Sequence, residues 1–347
     1  MKVLFIVCPN GFGHIKRSAE IAKELINIET HIKFKWFLSK QCLRYLTSNC
    51  GDRLFNSSTF NTFNDNESIS NNNIFNSNFE KLYFYWVKGL QNLINSDVYD
   101  LVISDNVCAP LKYHNNVIMI GSFLWHDVIK ASKLNEKVFF FEESLFRNKR
   151  PLIFSMKNFT MSEITKNGNN IEFPSISEKY ITNKKTKKSN INILLSPGKS
   201  GELREDFKRI KNILLKNQHF NVYFDSYIDD NFENDNSHYF DYSDESFDLI
   251  SLIICRPGIG IISDAIRHQL PLIINDKYDN SEIEFNSKVI EKLGIGKRLA
   301  LLNENIVNNY LKKLFSDRQE LRNMIFNLNK MESGGSKKIA NYILKIL

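Results

Sequence analysis

One stretch of the sequence joins an arginine, a glycine turn and an aspartate in a spacing that suits a nucleoside diphosphate. An apolar run ends at Arg256, a turn containing Gly258 and Gly260 follows, and Asp264 lies about one turn into the next predicted helix. Arg256 and the amide groups at the start of that helix, up to Ile261, can bind a diphosphate, while Asp264 can bind a ribose diol. The spacing alone also fits an ordinary strand–turn–helix unit in which Asp264 favours the helix dipole.

Two other glycine turns follow predicted strands and precede predicted helices, one in each half of the chain. The first contains Gly11 and Gly13 and ends at His14, and the second contains Ser196, Gly198, Lys199, Ser200 and Gly201. Glycine lets the backbone approach a ligand closely, and the helix that follows offers free amide groups to an anion. Neither turn matches the dinucleotide or P-loop fingerprint. A single turn of this kind is often only structural, but one in each half predicts a ligand bound by both halves.

The elements that must position these residues alternate between strand and helix. Apolar runs typical of buried parallel strands cover residues 2–8, 32–38, 100–105, 117–121, 191–196, 220–225, 248–255 and 271–275. Helical periodicity separates several of them, as in the apolar stripe that runs from Ile15 to Ile26. The pattern predicts an α/β protein with two doubly wound Rossmann-like domains facing a cleft.

Length and local composition predict the domain boundaries. A chain of 347 residues suits two domains of roughly 150 residues each. Lysines and polar residues cluster after Pro174, so we expect an N-terminal domain over residues 1–175 and a linker over 176–189. A second domain is expected over 190–332, followed by a helix over 333–347 that returns toward the first domain. The asparagine-rich residues 56–78 predict a long, mobile surface loop.

Charge and cysteine content exclude several classes of protein. The net charge is +7, without the dense basic stripe of a nucleic-acid-binding protein. The five cysteines include no CxxC pair, which argues against a disulfide framework and a zinc site. No uncharged apolar stretch approaches the roughly 20 residues that span a bilayer. We therefore expect a cytoplasmic protein that binds no nucleic acid and needs neither a metal nor a cofactor.

Four segments of the sequence, which follow one another along the chain as the corresponding motifs do in that family, resemble the GT-B glycosyltransferases, in particular the peptidoglycan N-acetylglucosaminyltransferase and the UDP-dependent glycosyltransferases. The segment from Arg256 through Asp264 resembles their donor-nucleotide motif. The other similar segments are their N-terminal glycine loop, a strand ending in aspartate and the tail after the donor motif, here Gly11–His14, Leu101–Asp105 and Glu282–Asn286 with Leu293–Gly296. The resemblance covers most of the chain. It departs at Asp264, where the family usually has glutamate, at Ile283 and at the inserted Lys199.

The resemblance implies a role for each candidate residue. His14 would be the general base that deprotonates the acceptor, oriented by Asp105 or, as the alternative, by Asp127. Arg256 or Lys199 would be the cation at the diphosphate, with the amide groups of 198–201 and 258–261 around it. Asp264 would bind the ribose, Glu282 would belong to the donor site, and Phe240 would lie on the loop that cradles the base. The implied reaction is an inverting transfer from a UDP-sugar to a hydroxyl of a saccharide, lipid-linked or protein acceptor.

Other functions stay open from the sequence. The run from Gly11 to Arg17 also matches the UDP-sugar hydrolase of the pseudaminic acid pathway, in which the histidine activates water. A CMP-linked acidic sugar is a second candidate donor, because the net charge and Lys199 favour a carboxylate. The non-hydrolysing UDP-sugar 2-epimerases and a nucleotide-binding protein without activity are the remaining alternatives. The linker lysines and Val138–Phe141 also fit peripheral contact with an anionic membrane.

Overall fold

A computed structural model describes residues 1–8, 12–63, 79–129, 136–181, 191–198, 203–225, 228–229, 235–275 and 280–347. This part of the chain divides into two compact units. Unit 1 consists of Met1–Ile176 and Gly334–Leu347, and unit 2 consists of Ser177–Ser333. Most of the predicted linker, residues 182–189, lies outside the described residues.

Unit 1 is built on a seven-stranded sheet in which every pair of neighbouring strands is parallel. Its strands are β1 (Lys2–Ile6), β2 (Lys33–Ser39), β3 (Ser58–Phe63), β4 (Leu101–Asp105), β5 (Val117–Ile120), β6 (Leu152–Met156) and β7 (Asn169–Phe173). The order across the sheet is β3-β2-β1-β4-β5-β6-β7. Strands are therefore added outward from β1 in one direction up to β3 and in the other direction from β4 onward, so the topological switch point lies between β1 and β4. In such sheets, ligands bind at the carboxyl ends of the strands at the switch point.

Helices cover both faces of this sheet, and its central strands β1, β4 and β5 are largely buried. They are α1 (Phe12–Ile28), α2 (Lys40–Asn49), α3 (Asp52–Asn56), α4 (Phe79–Asn95), a 3₁₀ helix (Ala109–Lys112), α5 (Trp125–Ile129), α6 (Glu136–Lys149) and α7 (Ser162–Asn167), with α14 (Gly335–Ile346) joining from beyond unit 2. One core lies under α4 and α6, and the other lies under α1. Ile339, Ala340 and Ile343 of α14 belong to the same core as Ile15 and Ala19 of α1.

Unit 2 repeats the architecture with a six-stranded parallel sheet. Its strands are β8 (Ile191–Ser196), β9 (Phe220–Phe224), β10 (Ser237–Tyr239), β11 (Leu252–Cys255), β12 (Leu272–Asn275) and β13 (Gly296–Leu299), in the order β10-β9-β8-β11-β12-β13. Its helices are α8 (Arg204–Leu215), α9 (Asp244–Leu249), α10 (Ile259–His268), α11 (Ser281–Leu293), α12 (Glu304–Asp317) and α13 (Gln319–Lys330). The switch point lies between β8 and β11. The prediction of two doubly wound Rossmann-like domains is confirmed.

The predicted surface loop over residues 56–78 is wrong in its first part. Ser58–Phe63 forms the edge strand β3, which pairs in parallel with β2 from Ser58 opposite Phe34 to Phe63 opposite Ser39. The segment contains two threonines and two phenylalanines, which favour the extended conformation, but the asparagines around it hide the pattern. Residues 64–78 lie outside the described residues.

None of the described helices is both long enough and apolar enough to cross a bilayer.

Candidate functional site

The carboxyl edge of the unit 1 sheet brings His14 and Asp105 into contact. Asp105 is the last residue of β4, and His14 lies in the first turn of α1, which follows the neighbouring strand β1. The Nδ1 atom of His14 lies 2.5 Å from Oδ1 of Asp105. Asp105 is fully buried and His14 is 8% exposed. A histidine paired in this way to a carboxylate has the arrangement of a general base, in which the carboxylate orients the ring and stabilises its cation.

A buried arginine, Arg17, lies beside this pair. It follows His14 by three residues on α1, so both side chains project from the same face of the helix. Its Nε donates to Asp105 Oδ2 at 2.7 Å, and its Nη2 donates to Asp105 Oδ1. The hydroxyl of Ser18 also donates to Asp105 Oδ2, at 3.2 Å. Two charge-assisted hydrogen bonds from one guanidinium fix both the position and the plane of the carboxylate.

These contacts decide the charge state of Asp105. Burial alone would raise the pKa of this carboxyl group, but Arg17 and His14 outweigh burial and hold the pKa below its ordinary value. Asp105 is therefore ionised at neutral pH although it is fully buried. An ionised carboxylate can accept the Nδ1 hydrogen of His14.

Asn106 extends the network and has an unusual backbone conformation. Its φ angle is +58°, in the left-handed region, and its backbone N donates to Ile120 O at 2.9 Å. Its side-chain Oδ1 accepts a hydrogen bond from Arg17 Nη2 at 3.2 Å. This oxygen lies directly over Gly121, where a Cβ atom would collide with it. Gly121 is thus required for the position of the Asn106 amide.

Glu142 of α6 holds the segment that follows Asp105 and Asn106 by a hydrogen bond to its backbone. Its fully buried Oε2 accepts a hydrogen bond from the backbone N of Cys108 at 2.8 Å, and Tyr83 donates its hydroxyl to Oε1. Burial raises the pKa of Glu142 to about 8. The group is therefore largely protonated at neutral pH, and it anchors the segment that follows Asp105.

Asp127, the alternative partner of His14, lies in a different group. It lies on α5 next to His126 and close to Glu163 of α7, and one potential ligand atom from each of the three lies within 4.8 Å of the others, a spacing that could hold a metal ion. Glu163, however, accepts hydrogen bonds from Arg147 Nε at 3.0 Å and from Asn167 Nδ2 at 2.8 Å. The guanidinium of Arg147 already balances the negative charge of Glu163 that a metal ion would require. The structure thus shows the contact of His14 with Asp105 and groups Asp127 with His126 and Glu163.

In unit 2 the carboxyl edge of the sheet carries Arg256, directly after β11. Its backbone N donates to Ser196 O, at the end of β8, at 3.0 Å. Gly198 lies beside it with φ +72°, and a Cβ atom on Gly198 would lie 3.7 Å from Arg256 Cδ. Ser196, Gly198 and Arg256 are thus brought together at the switch point. Gly11, Lys199, Ser200 and Gly201 of the predicted site lie outside the described residues.

The helix α10 begins next to this arginine. Its N-cap is Gly258, and no side chain caps the amide groups of its first turn, which includes Gly260 and Ile261. Asp264 follows in the second turn and is 6% exposed. A helix N-terminus without a side-chain cap, beside an arginine, can bind a phosphate group.

Tyr242 connects Asp264 to the end of β8. It has a φ of +61°, rare for a bulky residue, and its hydroxyl donates to Asp225 Oδ2 at 3.3 Å. Burial, then the charge of Asp225 and more weakly that of Asp264, raises the pKa of Tyr242 far above its ordinary value, while a hydrogen bond with Ser196 lowers it. A polar cluster of Ser196, Asp225, Tyr242 and Asp264 therefore lies at this edge.

Phe240 and Glu282 have different surroundings. Phe240 is fully buried, with Tyr242 and Phe247 at ring-centroid distances of 5.0 Å, so its side chain packs the core. The neighbouring Tyr239 is 61% exposed and is the ring on this segment that can contact a ligand. Glu282 is half-buried in the first turn of α11, whose N-terminus is capped by the Asn280 side chain.

Sequence reasoning missed Arg17, Asn106 and Tyr242. Signals for the first two were present, since Arg17 lies one helical turn after His14 and Asn106 directly follows Asp105. No signal marked Tyr242.

No family model and no curated protein matches this sequence. Solved structures do match. The spinosyn forosaminyltransferase SpnP is similar over 100% of this chain and 99% of its own, with 13% identity and a TM-score of 0.69. The glycosyltransferase of kitacinnamycin is similar over 100% of this chain and 99% of its own, with 11% identity and a TM-score of 0.68. The glycosyltransferase VinC, solved with dTDP, is similar over the same shares of the two chains, with 12% identity and a TM-score of 0.64.

The chain has the GT-B fold. The two Rossmann-like units, each with its own switch point, are the two halves of a GT-B protein. At identities of 11–13% the likeness establishes the fold, and the activity depends on the site residues.

Proposed function

We propose that the protein is a glycosyltransferase that moves a sugar from a nucleoside-diphosphate donor to a hydroxyl group. The observation that carries the proposal is the His14–Asp105 pair, with Nδ1 and Oδ1 2.5 Å apart at the switch point of a unit with the GT-B fold. A base at this position is what an inverting transfer needs, because the acceptor hydroxyl must lose its proton as it attacks the sugar.

In this mechanism one set of residues moves the proton and another stabilises the leaving diphosphate. His14 accepts the acceptor proton at Nε2 while Nδ1 donates to Asp105, and the carboxylate stabilises the imidazolium that forms. The acceptor oxygen then attacks the anomeric carbon, and the bond to the diphosphate breaks with inversion. The leaving diphosphate gains negative charge, which Arg256 and the first amide groups of α10 stabilise.

We assign the donor nucleotide to unit 2. The uncapped start of α10 and Arg256 suit the diphosphate, and the Asp264 carboxylate suits the ribose hydroxyls. We expect a UDP-sugar. The dTDP in VinC makes a dTDP-sugar the first alternative, and a CMP-linked acidic sugar is the second.

The acceptor is expected to be a saccharide, a lipid-linked saccharide or a protein, as in the assembly of bacterial cell-surface glycans. Peripheral contact with the inner face of the plasma membrane belongs to the same proposal. It is supported by Phe140 of α6, which is 60% exposed.

A thermal-shift screen with UDP-, dTDP-, GDP- and CMP-sugars tests the proposal. A true donor at 100 times its dissociation constant adds about 2.7 kcal/mol to the free energy of unfolding. The stabilising donor is then incubated with candidate acceptors, and the glycosylated product is detected by mass spectrometry. Failure of all four nucleotide classes to stabilise the protein contradicts the proposal.

The UDP-sugar hydrolase is the second candidate, favoured by the run from Gly11 to Arg17 and by the burial of Arg17 beside His14. In that reaction His14 takes its proton from water. Incubation with the donor in ¹⁸O-labelled water, without an acceptor, distinguishes the two. Rapid release of ¹⁸O-labelled free sugar indicates a hydrolase, whereas release of the nucleoside diphosphate that depends on an added acceptor, without labelled free sugar, indicates a transferase.

A further inference from the structure

The guanidinium of Arg17 lies close enough to His14 to change the chemistry of the ring. Its Nη2 atom is 3.1 Å from Nδ1 of His14, and Oδ1 of Asp105 is 2.5 Å from the same nitrogen. A neutral imidazole has one N–H and one lone pair, so the two neighbours make opposite demands on Nδ1. Asp105 requires a hydrogen there, and Arg17 requires a lone pair. The base function depends on which demand is met, because only the Nδ1–H tautomer leaves Nε2 able to accept a proton.

The hydrogens of Nη2 settle the competition. This nitrogen carries two hydrogens. One is donated to Asp105 Oδ1, and Asn106 Oδ1 accepts the other at 3.2 Å. With both acceptors in place, the 3.1 Å contact between Nη2 and His14 Nδ1 can only share one of these hydrogens, whereas Asp105 Oδ1 lies 2.5 Å from Nδ1. The ring nitrogen therefore keeps its own hydrogen and donates it to Asp105.

We propose that Asn106 is a positioning residue that fixes the tautomer of His14 by occupying the second Nη2 hydrogen of Arg17. The inference rests on the proposed role of His14 as a base and explains how that role is maintained beside a cation. Asn106 acts through Arg17 and touches no substrate in this scheme.

The backbone and the neighbours of Asn106 hold its side chain in contact with Arg17. The residue is fully buried in the left-handed conformation, and Gly121 leaves the space that its Oδ1 occupies. Its Nδ2 has no hydrogen-bond partner in the part of the chain that the structure describes. An unsatisfied buried amide nitrogen lowers stability. The Asn106 amide is thus held in the orientation that accepts the hydrogen bond from Arg17, although its Nδ2, unpaired among the described residues, lowers the stability of the folded state.

Removing the amide has a defined consequence. Without Asn106 Oδ1 to compete for it, the second Nη2 hydrogen can be aimed at His14 Nδ1, 3.1 Å from Nη2, by a small tilt of the guanidinium plane. The ring then shifts to the Nε2–H tautomer, and the base is blocked although His14, Arg17 and Asp105 are all present. A wrong tautomer in a histidine–carboxylate pair lowers turnover by about 10⁴-fold.

The test is the long-range ¹H–¹⁵N NMR spectrum of protein labelled at histidine, which identifies the nitrogen that lacks a hydrogen. His14→Ala assigns the resonances of His14, and no substrate is needed. We expect Nε2 of the wild-type ring to lack the hydrogen, and Asn106→Gly, which suits a positive φ, to move that signature to Nδ1. Asn106→Asp keeps an acceptor for Nη2 and should retain the wild-type tautomer. Ser18→Ala removes a different hydrogen bond to Asp105 and should also retain it.

Two results overturn the inference. The first is a wild-type His14 that carries its hydrogen on Nε2, which needs no variant at all. The second is a folded Asn106→Gly protein whose Nε2 still lacks the hydrogen. Because the spectrum is independent of turnover, an inactive protein with the expected tautomers would contradict the proposed function and leave the inference standing. With an identified donor, Asn106→Gly should lower turnover about 10²–10⁴-fold with donor affinity unchanged, and Asn106→Asp should restore part of it.

Discussion

The amide oxygen of Asn106 occupies the space that a Cβ atom at Gly121 would need. The two residues end adjacent strands: Asn106 follows β4 and Gly121 follows β5. Gly121 cannot move aside, because its backbone N donates to Phe154 O at 2.9 Å on the next strand, β6. The position of the Asn106 side chain therefore depends on a residue with no side chain of its own.

Gly121→Ala should displace the Asn106 amide and destabilise the protein. Overpacking of this kind costs about 1–3 kcal/mol in the free energy of unfolding, measured by urea denaturation. Gly89→Ala is the matched control. Gly89 is exposed within α4, and its new Cβ would lie 3.8 Å from Phe37 Cζ, so this variant should gain about 0.5–1 kcal/mol. Equal effects of the two substitutions would contradict the packing argument.

His14→Ala and Asp264→Ala should separate turnover from donor binding. His14 acts only as the acceptor loses its proton, so His14→Ala should cut single-turnover rate by about 10²–10⁴-fold and leave donor affinity nearly intact. Asp264 is assigned to a ribose contact that exists before and during the reaction. Asp264→Ala should therefore lose about 1.5–3 kcal/mol of donor binding by calorimetry. A His14→Ala protein with full turnover would remove the base assignment.

Asp105→Asn and Asp127→Asn distinguish the two candidate partners of His14. Asp105→Asn leaves the buried Arg17 without its carboxylate, so it should lower turnover as His14→Ala does and also cost about 3–5 kcal/mol of stability. Asp127→Asn should keep the wild-type turnover, because Asp127 lies with His126 and Glu163. Turnover is compared at a temperature where all proteins are folded. The reverse order of effects would show that the wrong carboxylate has been paired with His14.

Glu142 should make stability fall as pH rises. Burial raises its pKa to about 8 in the folded protein, whereas an unfolded glutamate titrates near about 4.3. The folded state therefore holds a proton that the unfolded state releases, and the resulting stability, complete below about pH 4, is lost progressively up to about pH 8. Between pH 5 and pH 8 the loss should be on the order of 2–4 kcal/mol.

Glu142→Gln isolates this effect. The amide can accept from Cys108 N–H and contact Tyr83 as the protonated carboxyl does, but it does not titrate. The difference in free energy of unfolding between the two proteins, measured at pH 5, 6, 7 and 8, should grow in favour of the variant as pH rises. Other titrating groups cancel in this difference. A difference that stays constant over this range would contradict the raised pKa.

The fold was largely visible in the sequence because its central strands are buried on both faces. Runs such as Leu252–Cys255 and Val117–Ile120 are continuous and apolar. Five strands were not predicted: β6, which lies inside the sheet of unit 1, and the four edge strands β3, β7, β10 and β13. An edge strand contacts only one neighbour and tolerates polar residues, so Ser58–Phe63 resembles the loop beside it.

The candidate site was only partly visible. His14 and Asp105 follow neighbouring strands of a doubly wound sheet, so their proximity follows from the topology. The role of Asn106 does not, because it depends on a positive φ and on the space above Gly121. Neither leaves a periodic pattern. The burial of the Phe240 side chain could not be predicted either, because the neighbouring Tyr239 is equally aromatic and is exposed.

Because α14 packs on α1, unit 1 can finish folding only after unit 2 has been translated. The helix that carries His14 buries Ile15 and Ala19 against Ile339, Ala340 and Ile343, and these follow unit 2 in the chain. A ribosome adds about 5–20 residues per second, so unit 2 delays this contact by roughly 10–30 s. During that time the nascent α1 presents an uncovered apolar stripe. The half of the protein that is translated first is thus the half that is completed last.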